Sequence, residues 1–188
     1  MPEPTMSLLG LVKKSVLATQ QSVREISDAI AGAARADLSH ALQQPDQMRA
    51  AVLDIVRGTM EGARELGADV GTAAEATIVG VARSVDEVGG ESVEAMRTAA
   101  RGVIQITAEL NGDVGRAANG VIEGTAIAAS DLGWRVAHAT AAAATAAFEA
   151  AEKIDAKAAQ QVREAVKGAR DRQREGAAER DGNAARTR

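Results

Sequence analysis

The chain has 188 residues, a formal net charge of −4 at pH 7 and 46% hydrophobic residues. It contains one Phe, one Trp, no Tyr and no Cys, so small aliphatic side chains supply nearly all of its apolar surface. The lack of Cys excludes disulfides, thiolate metal sites and cysteine nucleophiles. We expect an all-α protein with several amphipathic helices, arranged as a helical bundle or as elongated helical hairpins, and without a β-sheet.

The charge and hydropathy patterns exclude two classes of partner. Residues 54–131 carry thirteen acidic side chains against six arginines, a balance that disfavours nucleic-acid binding because such binding depends on cations that neutralise phosphates. The longest uncharged run has thirteen residues, from Val136 to Phe148, whereas a membrane-spanning helix needs about 20 apolar residues. We therefore expect a protein that binds no nucleic acid and is not transmembrane. We expect it in the cytoplasm, including at the periphery of a granule or membrane surface.

Residues 1–45 predict one long amphipathic helix over about 7–43. Its apolar stripe follows the alternating three-and-four spacing of a coiled-coil heptad, which calls for a partner helix. The stripe consists of Leu9, Val12, Val16, Thr19, Val23, Ile26, Ile30, Ala34, Leu38 and Leu42. Pro45 disfavours helix at the preceding residue and predicts a turn over Gln43 to Asp46.

Residues 46–133 contain an internal repeat of 22 residues. Each of four units ends in an acidic residue, an aliphatic residue and Gly or Asn: Glu65-Leu66-Gly67, Glu87-Val88-Gly89, Glu109-Leu110-Asn111 and Asp131-Leu132-Gly133. A glycine also recurs upstream in each unit, at Gly58, Gly80, Gly102 and Gly124. Agreement at separate positions in four units indicates a repeated structural unit.

Two structures are compatible with this period. In a continuous helix, 22 residues make six turns of about 3.67 residues, and Gly58 and its equivalents lie opposite the apolar stripe, near the Glu65 position. In the other structure each unit is a separate helix, and Thr72 to Glu75 form a capping box that opens the second one. Thirteen of the eighteen glycines lie between 58 and 133, and each costs about 0.8–1.0 kcal/mol relative to Ala inside a helix. We therefore favour separate helices.

The repeat defines two sets of candidate residues. Hinges with left-handed C-caps are predicted at Gly67, Gly89, Asn111 and Gly133, since Gly and Asn are the residues that this conformation prefers. A contact stripe that faces a surface or another helix is predicted from the large aliphatic positions. It consists of Val56, Met60, Leu66, Val70, Ile78, Val85, Val88, Val103, Leu110, Val114, Ile127 and Leu132.

The C-terminal part divides into two segments. Residues 134–168 are rich in Ala and predict one strong helix up to about Lys167. Trp134 at its start is expected to be a packing anchor. Residues 169–188 are charged and nearly devoid of large apolar side chains, which predicts a disordered tail.

No arrangement of residues predicts catalysis. Asp37 and His40 lie three residues apart on one helix face, but a metal site needs three or four ligands and no further ligand completes this one. The acidic pairs have no apolar pocket that would raise a pKa for acid–base work. We therefore expect a protein that is not an enzyme and has no catalytic, cofactor-binding or metal-binding residues.

The four boundary triplets and stretches such as GVIEGTAIAAS and TIVGVARSVDEVGG resemble those of weakly amphipathic helical coat proteins. These include phasins of polyester granules, perilipins of lipid droplets, and the synuclein and apolipoprotein repeats. The Lys-rich core of synuclein repeats and the Pro punctuation of apolipoprotein repeats are missing here. The resemblance implies a non-enzymatic protein of 11/22-residue units that associates with a neutral apolar surface, as a granule or lipid-droplet coat. The high Ala, Arg and Gly usage indicates a GC-rich bacterial source.

The contact stripe is also compatible with a second function. The same residues could pack helix on helix, in a structural or scaffold protein that forms a homo-oligomeric helical bundle or filament. The expected partners are therefore other copies of the chain, an apolar granule or lipid surface, or both.

Overall fold

The computed structural model describes the backbone of residues 10, 12–13, 23–41 and 44–186, and their side chains up to residue 172. This part of the chain is helical apart from short connections, which confirms the predicted all-α class. The helices described in full are α1 Val23–Ala41, α2 Pro45–Leu66, α3 Val70–Glu87, α4 Ser92–Glu109, α5 Val114–Asp131, α6 Val136–Glu152 and α7 Ala156–Arg186.

The helices form two layers. Each of the helices α1 to α5 contacts the next two helices along the chain, α6 contacts α7, and none of these helices contacts one further away. The odd-numbered helices therefore lie side by side in one layer, and the even-numbered helices lie side by side in the other. A stack of helical hairpins with contacts only between near neighbours is the arrangement found in α-solenoids.

Small side chains dominate the core. One continuous cluster of buried residues takes members from all seven helices, and many of them are Ala. The large members include Ile30 of α1, Ile55 of α2, Ile78 of α3 and Met96 of α4. A core of this composition requires close approach of the helix backbones, because Ala fills little space between them.

The middle helices are separate and evenly spaced. α3, α4 and α5 contain 18 residues each, and they begin at residues 70, 92 and 114, which are 22 residues apart. The structure therefore shows the hinged alternative and not a continuous rod.

The turns between these helices are closed by left-handed residues. Gly67, Gly89, Asn111 and Gly133 have φ angles of 68°, 79°, 56° and 71°. After each of the four, the next backbone N–H donates to the carbonyl five residues before it, as in a Schellman motif. These bonds are Ala68 to Ala63, Gly90 to Val85, Gly112 to Thr107 and Trp134 to Ala129, at 2.8 to 2.9 Å. The four hinge residues therefore lie where a C-cap is needed.

Aspartates cap the N-termini of three odd-numbered helices. Asp69 Oδ1 accepts the N–H of Thr72 at 3.0 Å, and Asp113 and Asp155 make the corresponding bonds at 3.0 and 2.7 Å. The Thr72 N–H lowers the pKa of the Asp69 carboxyl, and Arg116 lowers it further. The predicted capping box at Thr72 is thus wrong: Asp69 is the N-cap and Thr72 lies in the first turn, because a carboxylate is the stronger acceptor for these N–H groups.

The C-terminal segment differs from its prediction in two ways. The single helix expected up to Lys167 is interrupted at 153–155, where Lys153 is the C-cap of α6 and Asp155 caps α7. The signal for this break was Asp155 itself, which competes for backbone N–H groups inside an otherwise Ala-rich sequence. The disordered tail predicted for 169–188 is helical up to Arg186, because Arg, Gln, Glu and Ala are strong helix formers even without an apolar face.

The N-terminal stripe is described in part. Val12, Ile26, Ile30, Ala34 and Leu38 are buried, and Val23 packs against the core. The stripe residues Leu9, Val16, Thr19 and Leu42 lie outside the described residues. Of the turn predicted over Gln43 to Asp46, Gln43 lies outside the described residues, and Asp46 lies in the first turn of α2, which Pro45 begins as the residue with no N–H to satisfy.

Candidate functional site

The predicted contact stripe packs mainly inside the chain. Six of its residues belong to the buried core, namely Val56, Met60, Ile78, Val85, Val103 and Val114. Four more, Leu66, Val70, Val88 and Leu110, are half-buried and pack against that core. Leu132 is half-buried, and Ile127 is exposed at 38%. The stripe is therefore mostly occupied by neighbouring helices of the same chain.

The recurring glycines lie at the contacts between helices of one layer. Gly58, Gly80, Gly102 and Gly124 are all buried. A Cβ on Gly80 would come within 2.9 Å of Ile30 on α1, and one on Gly102 within 2.9 Å of Leu53 on α2. Their position opposite the stripe applies to the continuous helix, which the structure does not contain. Each helix here is packed on several sides, so these positions are buried as well.

The closest approach of two helices joins α3 and α5. A Cβ on Gly120 would lie 2.1 Å from the carbonyl oxygen of Gly71, and one on Gly124 would lie 2.6 Å from the carbonyl oxygen of Glu75. Gly120 and Gly124 form the GxxxG spacing that allows helix backbones to come close together. In this chain the motif joins two helices of one layer. The sequence alone did not show which helices it would bring together.

Ion pairs run across the outside of both layers. Five of them join a cation on one element to a carboxylate on the next element of the same layer, and three of these five span 52 residues in sequence. These three are Lys13 to Glu65 at 2.6 Å, Arg35 to Glu87 at 2.6 Å and Arg57 to Glu109 at 2.8 Å. Each of the three begins 22 residues after the one before.

In the next two pairs, one partner lies one helical turn away from the position that the 22-residue spacing would give it. Arg83 bonds Asp131 and Arg101 bonds Glu149, each across 48 residues. The shift by four residues keeps the pair on the same helix face. Exposed pairs of this kind contribute roughly 0.2–1 kcal/mol each, so they fix the register between helices more than they stabilise the fold.

A groove lies between α6 and α7 at the C-terminal end of the stack. It encloses about 550 Å³, with Ala144 and Phe148 of α6 and Val166 of α7 among its apolar lining. Four charged side chains of α7 border it, the cations Arg163, Lys167 and Arg170 and the carboxylate Asp171, so its edge carries a net positive charge. The Arg163 guanidinium lies 5.2 Å from the centre of the Phe148 ring. The groove combines an apolar floor with a basic edge, a combination suited to an amphipathic partner.

A smaller cavity of about 260 Å³ lies at the turns that follow α2 and α4. Met60, Val70 and Leu110 supply apolar lining, and the hinge residues Gly67 and Asn111 also border it. Thr107 lies in its wall, and its buried hydroxyl makes no hydrogen bond. Other buried threonines, such as Thr59 and Thr77, donate to the carbonyl four residues earlier.

One carboxyl group has a raised pKa. Glu75 is half-buried between α3 and α5, and its burial raises the pKa, to which the charge of Glu123 adds. Glu123 itself pairs with Arg172 of α7 at 3.1 Å. In the described part of the chain, neither Glu75 nor any other residue belongs to a group of three or more His, Cys, Asp or Glu side chains that could hold a metal ion.

Comparisons with known proteins leave the chain without a family assignment. No protein-family model matches it, and no curated protein matches it closely enough to indicate a relative. Within the described residues, no helix is both long enough and apolar enough to cross a membrane. The fold and its surfaces therefore carry the functional argument.

Proposed function

We propose that this chain is a non-enzymatic structural protein, a scaffold whose stacked helices form homo-oligomeric assemblies. One observation favours a structural function over a coat: the apolar stripe packs within the chain and is not free to cover a surface. Self-association would use the ends of the stack, where α1 and α7 lack a further neighbour in their layer among the described residues. The proposal involves no reaction and no cofactor.

The position of the stripe also bears on the granule or lipid-droplet coat that the sequence resemblance implies. A coat protein presents its large apolar side chains on one open face. In the described residues the exposed large hydrophobics are Val93, Ile127 and Ile154, at 37–39% exposure. They lie on α4, on α5 and between α6 and α7, and do not belong to one helix face. A phasin-like function would therefore require the helices to separate from one another.

Circular dichroism with and without emulsified apolar droplets tests the proposal, together with sedimentation of the droplet-free protein. For a scaffold we expect high helicity without droplets, no change when droplets are added, and a mass that is a multiple of 19.3 kDa. Low helicity that rises sharply with droplets would instead favour the coat.

A further inference from the structure

The two ends of the helical stack are open. Inside the stack, α3 packs between α1 and α5, and α4 packs between α2 and α6. Within the described residues, α6 and α7 have no same-layer neighbour beyond them, and α1 has none before it. In a stack of similar units, each unit packs against the next through the same two kinds of face. One kind is therefore left free at the first end of the stack and the other kind at the last end, and the two fit each other.

The open face at the N-terminal end contains two small residues of α1. Gly32 has no atom within 4 Å of the position that its Cβ would take, and Ala36, one turn later, is exposed. Gly32 and Ala36 are equivalent to Gly120 and Gly124, because the two pairs are separated by 88 residues, or four repeats of 22. Gly120 and Gly124 are the residues through which α5 packs closely against α3. α1 thus presents to solvent the positions that α5 uses to contact the preceding helix of its layer.

The open face at the C-terminal end is the groove between α6 and α7. Among the described residues, Lys167 and Arg170 on its edge have no carboxylate within ion-pair distance, unlike the cations of the ion pairs inside the stack.

The charges of the two ends are complementary. Asp28 lies one turn before Gly32 on α1, and Asp37 follows Ala36 directly. Both carboxylates are exposed; Asp37 has no ion pair among the described residues, and Asp28 has only a 3.9 Å contact with the exposed Arg24. Carboxylates beside a small-residue face on α1 therefore match cations beside an apolar groove on α7.

We propose that copies of this chain associate head to tail, with the open face of α1 in one copy docked at the α6–α7 groove of the next. This inference rests on the proposed self-association and names its interface. An interface between two different faces leaves one free face at each end, so copies add one after another into a filament.

Sedimentation velocity of the full chain over a concentration series tests the interface. Lys167→Glu with Arg170→Glu reverses the charge of the groove, and Asp28→Lys with Asp37→Lys reverses the charge of the α1 face. We expect each double variant to associate about tenfold more weakly than the original chain, because like charges then meet. An equimolar mixture of the two variants restores association, since both of its interfaces again join opposite charges.

A second variant blocks the α1 face by size. Gly32→Trp places a large ring where the chain has open space, so the helices keep their packing while a docked copy is held away. The matched controls lie outside both end faces: Arg64→Glu with Arg135→Glu for the charge reversal, and Val93→Trp for the added ring. We expect all controls to associate like the original chain.

The results separate two kinds of failure. If the original chain associates, and the groove variant and Gly32→Trp associate equally well, the head-to-tail interface alone is overturned. A chain that sediments at 19.3 kDa at every concentration would overturn both the interface and the proposed self-association.

Discussion

Glycine acts at two kinds of position in this chain, and the difference is visible at single residues. At Gly67, Gly89 and Gly133 the backbone needs a positive φ, which costs an L-residue energy. At Gly120 and Gly124 the backbone is ordinary helix, but the space for a side chain is taken by the backbone of α3. The first kind ends helices, and the second brings them together.

Substitution of two helical glycines by Ala should have opposite effects. Gly124→Ala forces a Cβ to within 2.6 Å of the Glu75 carbonyl oxygen, and we expect a loss of about 1–3 kcal/mol in the free energy of unfolding. Gly32→Ala meets nothing within 4 Å, so the gain in helix propensity of about 0.8–1.0 kcal/mol should appear in full. Urea unfolding followed by circular dichroism, at low protein concentration, measures both values. An equal gain in both variants would contradict the close packing of α3 and α5.

Glu75 should make stability depend on pH. Its folded-state pKa is raised, so ionisation in the folded protein costs free energy. Below the usual pKa of Glu, near 4.3, the carboxyl is neutral in both the folded and the unfolded chain and the cost vanishes; it grows as the pH rises through that value and is complete above the folded-state pKa. We therefore expect Glu75→Gln to stabilise the protein at pH 7 and to have little effect at pH 3.5. Denaturation of both proteins at the two pH values measures this, and an equal effect at both would contradict the assignment.

At the scale of helices, length and spacing follow from the caps. Three 18-residue helices and their four-residue connections account for the 22-residue spacing of the sequence. A left-handed residue follows α2, α3, α4 and α5, and the Asp two residues after Gly67 and after Asn111 caps α3 and α5. The helix ends are thus defined locally, before any packing.

The C-cap at Asn111 can be tested by two substitutions at one position. Asn111 has a φ of 56°, a conformation that costs other L-residues about 1–2 kcal/mol. We expect Asn111→Ala to lower the free energy of unfolding by about 1 kcal/mol, whereas Asn111→Gly leaves it unchanged or raises it slightly. Chemical denaturation of the three proteins compares them. A similar loss in both variants would indicate a side-chain role for Asn111 in place of a conformational one.

At the scale of the whole molecule, the stack has contacts only between near neighbours. A helix in the middle is held from both sides of its layer, whereas one at an end is held from one side. Stability in such an arrangement is close to a sum of local contributions, so opening starts at the ends.

Hydrogen exchange should show this gradient. We expect backbone amides of α3, α4 and α5 to exchange most slowly, and those of α1 and the C-terminal part of α7 to exchange fastest. Exchange followed by mass spectrometry at low protein concentration, where docking at the ends is absent, measures the protection of each helix. Equal protection in all seven helices would indicate one cooperative bundle and contradict the layered stack.

Helix formation, the hinge positions and the apolar stripe could be predicted from the sequence, because they depend on local propensity, on Gly and Asn at helix ends and on periodicity. The break before Asp155 was missed because the Ala content around it is so high. The helical state of 169–186 was missed because composition was taken to mean disorder.

The arrangement of the helices could not be predicted in this way. A contact between Gly124 and the backbone of Glu75, or between Arg57 and Glu109, joins residues about fifty positions apart, and nothing local distinguishes a stripe that faces a neighbouring helix from one that faces an oil surface. Both give the same periodicity, because the free energy of burial depends on the apolar area removed from water and not on what covers it. The sequence therefore specifies that a face must be covered, and the packing of helix on helix decides what covers it.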